Sequence, residues 1–388
     1  MPRALWADRR AMKKRFLQLC CAALIAAGLV FAPPAQAVAA PKPWRIALVT
    51  GGPFIDYQIA LQGLAERLAD LGIIADGAVP LPENSESLAP MWRWLAENAG
   101  GDSLRFVADA LYSPEWDPDR RPEVKKHFLD RLRDKGDIDC ILAFGTWVGQ
   151  DIAKEDLRIP VLLLSTSNLV DSGIIPSPDD SGRDNLLAVV EPDKYGRQVR
   201  IFHKIIGFSR LGITYEDTPS GRAGVALMEI EAAAEGVGVE LVRCVTAKLH
   251  ASDREEETVK RLRACHEDIV KQGADAVYIS VRTDLSVKHT DHILEPLIKA
   301  GLPTFAQQGS IQVRHGVMMS MGSGNLRDKG FFAAEALGKI LKGALPRSLS
   351  QRFESTASLS VNLRTAALIG WNIPIEVLAA VDEFYRDF

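Results

Sequence analysis

The chain has 388 residues, enough for two medium domains, and its 47% apolar and 25% charged residues are the balance of an ordinary globular protein. The formal net charge is −4, and the first 37 residues hold six basic side chains and one acid, which leaves 40 basic against 49 acidic over the remainder. An acidic surface excludes nucleic acid as the expected partner, because phosphate backbones need clustered Lys and Arg, although a local basic site for an anion stays compatible with it.

Met12-Lys13-Lys14-Arg15 is a positive stretch, Phe16 to Phe31 an apolar one, and Ala35-Gln36-Ala37 a small-x-small cleavage site. The apolar run is short for a membrane span and Pro33-Pro34 follows it, so 1–37 reads as a signal peptide. Leu19 precedes Cys20 where a lipoprotein signal requires a small residue, so no lipid anchor is expected. Cleavage leaves Cys140, Cys244 and Cys265, an odd number, so at least one thiol stays unpaired in a monomer. Cys140 lies in an apolar run and reads as a small buried hydrophobe; a Cys244–Cys265 bridge has no motif behind it and stays open. The absence of a CxxC pair leaves redox and zinc readings without support.

Trp44–Thr50 is a short apolar run before Gly51-Gly52 and predicts a buried parallel strand. Residues 57–71 carry apolar side chains at helical spacing and stop at Gly72. Residues 73–104 contain a helical piece at Met91–Leu95, either a surface helix with buried tryptophans or a cover over a cleft. A helix at Arg121–Lys135, strands at Ile138–Phe144 and Pro160–Leu164, and a helix between them from about Trp147 give the β-α-β-α rhythm of a doubly wound sheet. The Pro, Gly, Ser and Asp of 171–187 predict a crossing segment between domains. The alternation then restarts: helix Pro192–Ile206, strand Leu211–Tyr215, helix Gly221–Glu235, strand Val239–Val245, helix Arg254–Gln272, strand Ala276–Val281, a helix from about Thr290 to Ala300 and strand Pro303–Ala306. Two α/β units in series predict two doubly wound lobes with a cleft between them.

Residues 302–371 carry the most specific pattern. A strand with Pro303, a second strand after Gly316, a helix ending in Leu341-Lys342-Gly343, and Asn362-Leu-Arg-Thr-Ala366 before Leu368-Ile369-Gly370 occur in that order. Together they resemble the C-terminal signature of periplasmic solute-binding proteins of ABC transporters, in the family associated with tryptophan/tyrosine-type substrates. The resemblance implies a type I periplasmic binding fold: α/β, with two doubly wound parallel-sheet lobes joined by a multi-strand hinge. It divides the mature chain into 38–167 plus about 320–350 as the first lobe and 168–319 plus about 351–388 as the second. It implies a monomer in the periplasm that captures a small organic ligand, an amino acid or another solute, and delivers it to an ABC permease in the inner membrane. No cofactor and no metal are expected.

Ligands in open α/β sheets bind beyond the carboxyl ends of strands, which selects a few loops. After the first strand, Gly51-Gly52 allow close approach, and Phe54 or Tyr57 offers a stacking face; a plain tight turn is the alternative. Gly145-Thr146 resembles the family's Gly-Thr element at a helix start, where free N–H groups suit an anionic group, while Trp147 replaces the family's Pro. Thr146 is equally a simple N-cap, and Trp147 is a stacking surface or a packed side chain. Ser165-Thr166-Ser167 supply hydroxyls where the family often has Asp-Pro; they bind a polar ligand or cap the crossing loop. In the second half, Asp217 follows one strand, and Arg282 and Asp284 follow another; the acid would pair with an amine or the Arg clamp a carboxylate, unless the two only pair with each other. Gln307-Gln308 and Ser323-Gly-Asn325 place amides at the expected re-crossing strands, Gln308 being the candidate ligand contact.

Catalytic signatures are thin. No Gly-x-Ser-x-Gly, Walker loop or His-Glu-x-x-His occurs, and His289 and His292, three apart, read as solvated helix residues rather than metal ligands. A sensory receptor presenting the same lobes to a membrane kinase, and an enzyme on this scaffold with Asp217, Asp284 and the two histidines converging, are the alternatives to a transport role.

Overall fold

The computed structural model describes residues 42–246, 255–323, 326–354 and 357–387. The signal-peptide reading of 1–37 and the Gly324-Asn325 amides lie outside them.

The first lobe starts with β1 (Trp44–Thr50), whose last five residues are buried. Helix α1 (Ile55–Asp70) buries Tyr57, Ala60, Leu61, Leu64 and Leu68, the stripe that a 3.6-residue period puts on one face. Then follow α2 (Ala89–Asn98), β2 (Leu104–Tyr112), α3 (Arg121–Asp134), β3 (Cys140–Phe144), α4 (Thr146–Ile152), β4 (Val161–Leu164) and β5 (Leu186–Ala188). They form a parallel sheet in the order β2-β1-β3-β4-β5. Every residue of β3 and β4 is buried, as expected for strands covered by helices on both faces.

The second lobe runs through α5 (Lys194–Ile206), β6 (Arg210–Glu216), α6 (Pro219–Gly224), α7 (Leu227–Gly236), β7 (Glu240–Thr246), α8 (Glu255–Lys271), β8 (Ala276–Ile279), α9 (Thr290–Lys299), β9 (Thr304–Ala306), α10 (Ser310–Arg314) and β10 (Met319–Ser323). Helix α11 (Leu326–Leu341) returns to the first lobe. The chain then comes back as β11 (Ala357–Asn362), α12 (Leu363–Leu368), α13 (Ile375–Leu378) and β12 (Glu383–Tyr385). The second sheet has the order β12-β11-β10-β9-β8-β6-β7, antiparallel only between β10 and β11.

Helix α11 lies against α1 through two glycines. A Cβ on Gly330 would stand 2.1 Å from the Ala60 carbonyl oxygen, and one on Gly63 would stand 2.3 Å from that of Arg327. Only hydrogen side chains permit this approach, which brings Ala333, Ala334 and Leu337 into the core beneath α1. Between the lobes, the backbone of Val190 accepts from Phe353 N and donates to Gln351 O at 2.7 Å each, so two of the connecting segments run side by side.

Residues 171–187 read as a crossing segment between domains; within them Ile174 and Ile175 pack into the first core, and β5 pairs with β4. The crossing follows β5, because three apolar residues after a polar loop suffice to extend a buried sheet edge. β10 pairs with β9 and β11 in the second sheet, at the edge of the stretch from about 320 to 350 that the resemblance places in the first lobe. Asn362 of the C-terminal motif is structural: its side chain accepts from Thr365 N (3.0 Å), capping α12, and donates to Val313 O (2.9 Å).

Cys244 and Cys265 are bonded, joining β7 to α8 across a separation of 21 residues. Cys140 is buried, which pushes its thiol up to about 12 and leaves it unreactive at neutral pH. Replacing both bridge cysteines by Ala should lower stability by about 3 kcal/mol in urea denaturation, the loop-closure value for a loop of this length; an unchanged midpoint would refute a stabilising bridge. Gly330→Ala should cost about 1–3 kcal/mol through forced separation of α1 and α11. Gly236→Ala, whose Cβ would meet open space, should cost nothing in the same assay.

Candidate functional site

A cleft of about 1040 Å³ lies between the lobes. Its lining follows strands from both sheets: residues after β1, β3 and β4 on one side, and after β6, β8 and β9 on the other. The volume sits at the upper end of the range for small-molecule sites.

The first-lobe wall is aromatic. Phe54 and Tyr57 meet edge to face with centroids 5.1 Å apart, Tyr57 lies 6.3 Å from Trp116, and Trp116 meets Trp147 edge to face at 5.5 Å. Trp116 was not singled out in the sequence. Its indole covers Gly51 and Gly52 so closely that a Cβ on either would stand 2.4–2.5 Å from the ring. The two glycines therefore admit this chain's own tryptophan rather than a ligand. Trp116 Nε1 donates to Pro53 O at 2.7 Å. Glu115 and Trp116 both have left-handed backbone, at φ 56° and 59°, a strained conformation held by that indole packing. Trp147 is fixed by Arg121, whose guanidinium lies 4.8 Å from the ring centre, donates to Trp147 O at 2.8 Å and pairs with Asp151 at 2.9 Å.

Thr146 is the first residue of α4, not its cap; the cap is Gly145 at φ 92°. The Tyr57 hydroxyl packs on Gly145 where a Cβ would stand 2.1 Å away, and burial raises its pKa above the usual phenol value. Thr146 Oγ1 accepts from Ser167 N at 3.4 Å. Ser165 has left-handed backbone (φ 52°), and Thr166 Oγ1 is sealed from solvent with no hydrogen-bond partner.

On the second-lobe side, Arg282 and Asp284 form a bidentate pair at 2.7 and 2.8 Å, with side chains 11% and 21% exposed. They face the cleft, as expected of their strand end, but engage each other. Asp217 does not line the cleft: it is exposed and pairs with Arg222. Alternation along the extended chain fits this, since Glu216 and Thr218, the positions on either side, line the cleft. Gln307 satisfies backbone, accepting from Val281 N (2.7 Å) and donating to Val225 O (2.8 Å). Ten of the eleven expected site residues thus line one cleft, and Asp217 is the exception.

Several hydrogen bonds bridge the lobes. At one end Ser167 Oγ donates to Gly224 O (2.6 Å) and Asn168 Nδ2 to Glu229 Oε2 (3.3 Å). Toward the other, Gln308 Nε2 donates to Asp56 Oδ1 at 2.8 Å; burial raises the Asp56 pKa, opposed by this hydrogen bond and by Lys194 and Lys329. The segment before α2 forms the third bridge: Ser286 Oγ donates to Glu86 Oε1 (2.8 Å) and Lys288 Nζ to Glu83 O (3.0 Å). Residues 81–86 line the cleft, while α2 buries Trp92, whose Nε1 donates to Val107 O. The 73–104 stretch therefore combines both readings given to it, a packed helix and a partial cover.

His289 pairs with Glu255 at 3.1 Å and its ring lies 5.0 Å from that of His292; among the described residues no group of three or more potential ligands gathers for a metal. Glu86→Ala with Ser286→Ala should shift the ligand-free protein toward an open form, read as a larger radius of gyration in X-ray scattering. An unchanged radius would show that this bridge does not hold the lobes.

Comparison with curated protein sequences gave no significant match. Solved structures share the fold. A conserved domain protein from Vibrio cholerae aligns over 88% of this chain and 100% of its own, with 18% identity and a TM-score of 0.67. A domain from Streptococcus pneumonia, solved with L-Trp, aligns over the same shares at 15% identity and TM-score 0.66. An ABC transporter solute-binding protein from Agrobacterium vitis, solved with allitol, covers 84% of this chain and 98% of its own at 13% identity and TM-score 0.52. The two-lobed architecture is the type I periplasmic binding fold. Among the described residues no helix is long and apolar enough to cross a membrane. A family profile described as ABC transporter substrate binding protein matches residues 124–384, two thirds of the sequence, and the chain belongs to that family, whose members bind small ligands outside the cytoplasm.

Proposed function

We propose that this protein is a periplasmic solute-binding protein, exported by the 1–37 signal peptide, that closes its two lobes around a small organic ligand and hands it to an ABC permease in the inner membrane. The observation that carries this reading is the cleft of about 1040 Å³, bridged by hydrogen bonds between side chains and backbone of both lobes. Capture of this kind needs no bond chemistry: a ligand that contacts both walls binds the closed form more tightly and shifts the population toward it. A permease that recognises only the closed form then receives loaded protein. Lobe one is taken as 43–188 with α11, and lobe two as 194–323 with 357–387. The residues we assign to ligand contact are Phe54, Tyr57, Trp116 and Trp147 on the aromatic wall, and Thr146, Ser165, Thr166, Ser167 and Gln308 at its polar edge; Arg282 and Asp284 act as a pair.

The fold by itself does not choose the solute, since relatives of similar architecture hold compounds as different as L-Trp and allitol. Native mass spectrometry of protein purified from periplasm without refolding tests the reading. One small molecule per chain is expected, and adding it back to stripped protein should reduce the radius of gyration. Protein that carries nothing and keeps one radius across a solute library would overturn capture as its role.

A further inference from the structure

Two lysines line the cleft where the chain crosses between the lobes. Lys194, the first residue of α5, has a side chain 15% exposed, and Lys329, near the start of α11, has one 11% exposed. They share a carboxylate: Lys329 Nζ lies 3.0 Å and Lys194 Nζ 3.7 Å from Oε2 of Glu191, in the crossing between β5 and α5. Among the described residues Glu191 is the one acid within ion-pair distance of either lysine. It is 7% exposed and does not line the cleft, so a ligand meets the cationic side of this cluster. Half-exposed Arg197 approaches the other Glu191 oxygen at 3.9 Å, so one carboxylate serves three cations. Asp56 acts on both lysines through space and accepts from Gln308; burial pushes its carboxyl toward the protonated form against these effects. Glu229 accepts from Tyr195 N and Gly196 N at 2.7 and 2.9 Å, which leaves the side chains rather than the backbone of α5 to meet an anion.

An ammonium group has three N–H donors, and burying it with a share of one carboxylate leaves those donors short of acceptors and of water. A carboxylate brought by a ligand supplies what is missing, through charge-assisted hydrogen bonds. The position adds a second effect. Lys329 stands on the helix that packs in the first core and Lys194 opens the second lobe, so a group touching both favours the form in which the lobes are together. The aromatic wall is close by: Lys194 Nζ lies 5.3 Å from the centre of the Tyr195 ring, and Tyr57 of the first lobe is near enough to Tyr195 for the two phenols to interact electrostatically. Arg282 is a poorer anchor, because Asp284 occupies it through two hydrogen bonds.

We propose that Lys194 and Lys329 form an anion subsite, and that the solute is an organic acid whose carboxylate sits between the two ammonium groups while its ring or apolar body lies along the wall of Phe54, Tyr57, Trp116 and Trp147. The proposal rests on the solute-binding reading and narrows it.

Acids compared with their own amides change the charge and little else. Indole-3-acetate with indole-3-acetamide, and 3-phenylpropionate with 3-phenylpropionamide, are titrated calorimetrically into the full mature protein stripped of bound solute, with tryptamine as the cation. At least one acid should bind, about tenfold or more tighter than its amide and than tryptamine. An amide or tryptamine that binds as tightly as the acids, or no binding by either acid, overturns the proposal. Lys194→Gln and Lys329→Gln should each weaken the acid by about tenfold and leave the amide's affinity unchanged. Lys329→Arg keeps the charge and should keep the preference for the acid. Acid and amide weakening together would reveal a structural role and overturn the subsite; the acid-to-amide ratio of the unmutated protein decides the proposal even where a variant fails to fold. A molecule without an anionic group recovered from the native protein would sink the carboxylate proposal while leaving capture itself intact.

Discussion

The contact between α1 and α11 is what makes this chain one two-lobed molecule rather than two domains in series. Helix α11 comes late in the sequence, after most of the second lobe, yet it belongs to the first core. It can lie there because Gly63 and Gly330 let the two helix backbones approach to distances that any Cβ would forbid. The consequence is topological. The chain has to leave the second lobe to form that contact and come back to complete the second sheet with β11 and β12. Several connecting segments then run between the lobes, and Val190 and Phe353 pair where two of them lie side by side. Such a connection restrains sliding of one lobe over the other more than it restrains a change in the angle between them, which is the motion a binding cleft uses.

The cleft that results is asymmetric in its chemistry. The first lobe contributes four aromatic rings in contact, with Trp116 laid over two glycines and Trp147 under the Arg121 guanidinium. The second contributes ion pairs and amides whose hydrogen bonds are largely consumed by neighbouring backbone. Rigid rings and saturated polar groups lose little conformational freedom when a ligand arrives, so more of the interaction energy is available for affinity. The left-handed backbone at Glu115, Trp116 and Ser165 fits the same picture: strain at the cleft is held in place by packing around it.

Much of this was legible in the residues, and the failures are informative. The apolar runs at β1, β3, β4 and β8 and the helical stripe of α1 are short-range patterns, and they fold as their periods require. The loops after strands predicted ten cleft residues because topology alone places those loops together. Asp217 was lost to a one-residue phase difference that puts Glu216 on the cleft side, a distinction smaller than the uncertainty of any strand boundary read from sequence. β2 and β5 went unseen because one has a register shift against β1 and the other is three residues long in a polar stretch. Trp116 carried no local signal at all; its importance comes from two glycines more than sixty residues away.

The sequence by itself determined the alternating α/β rhythm, the two-lobed class and, through the Pro303-to-Gly370 motif, the kinship, because each of these depends on residues close together in the chain. Tertiary structure alone decided the strand order of the two sheets, the Cys244–Cys265 bond, the bridge from Glu83 and Glu86 to the far lobe, and the pairing of Arg282 with Asp284. The physical reason is the same in each case. Whether a charged or polar group is free for a ligand depends on what fills the few ångströms around it, and that space is filled by residues from distant parts of the chain. Even residues two apart in the chain, such as Arg282 and Asp284, pair here because the fold turns both side chains inward, away from the water that would otherwise separate them.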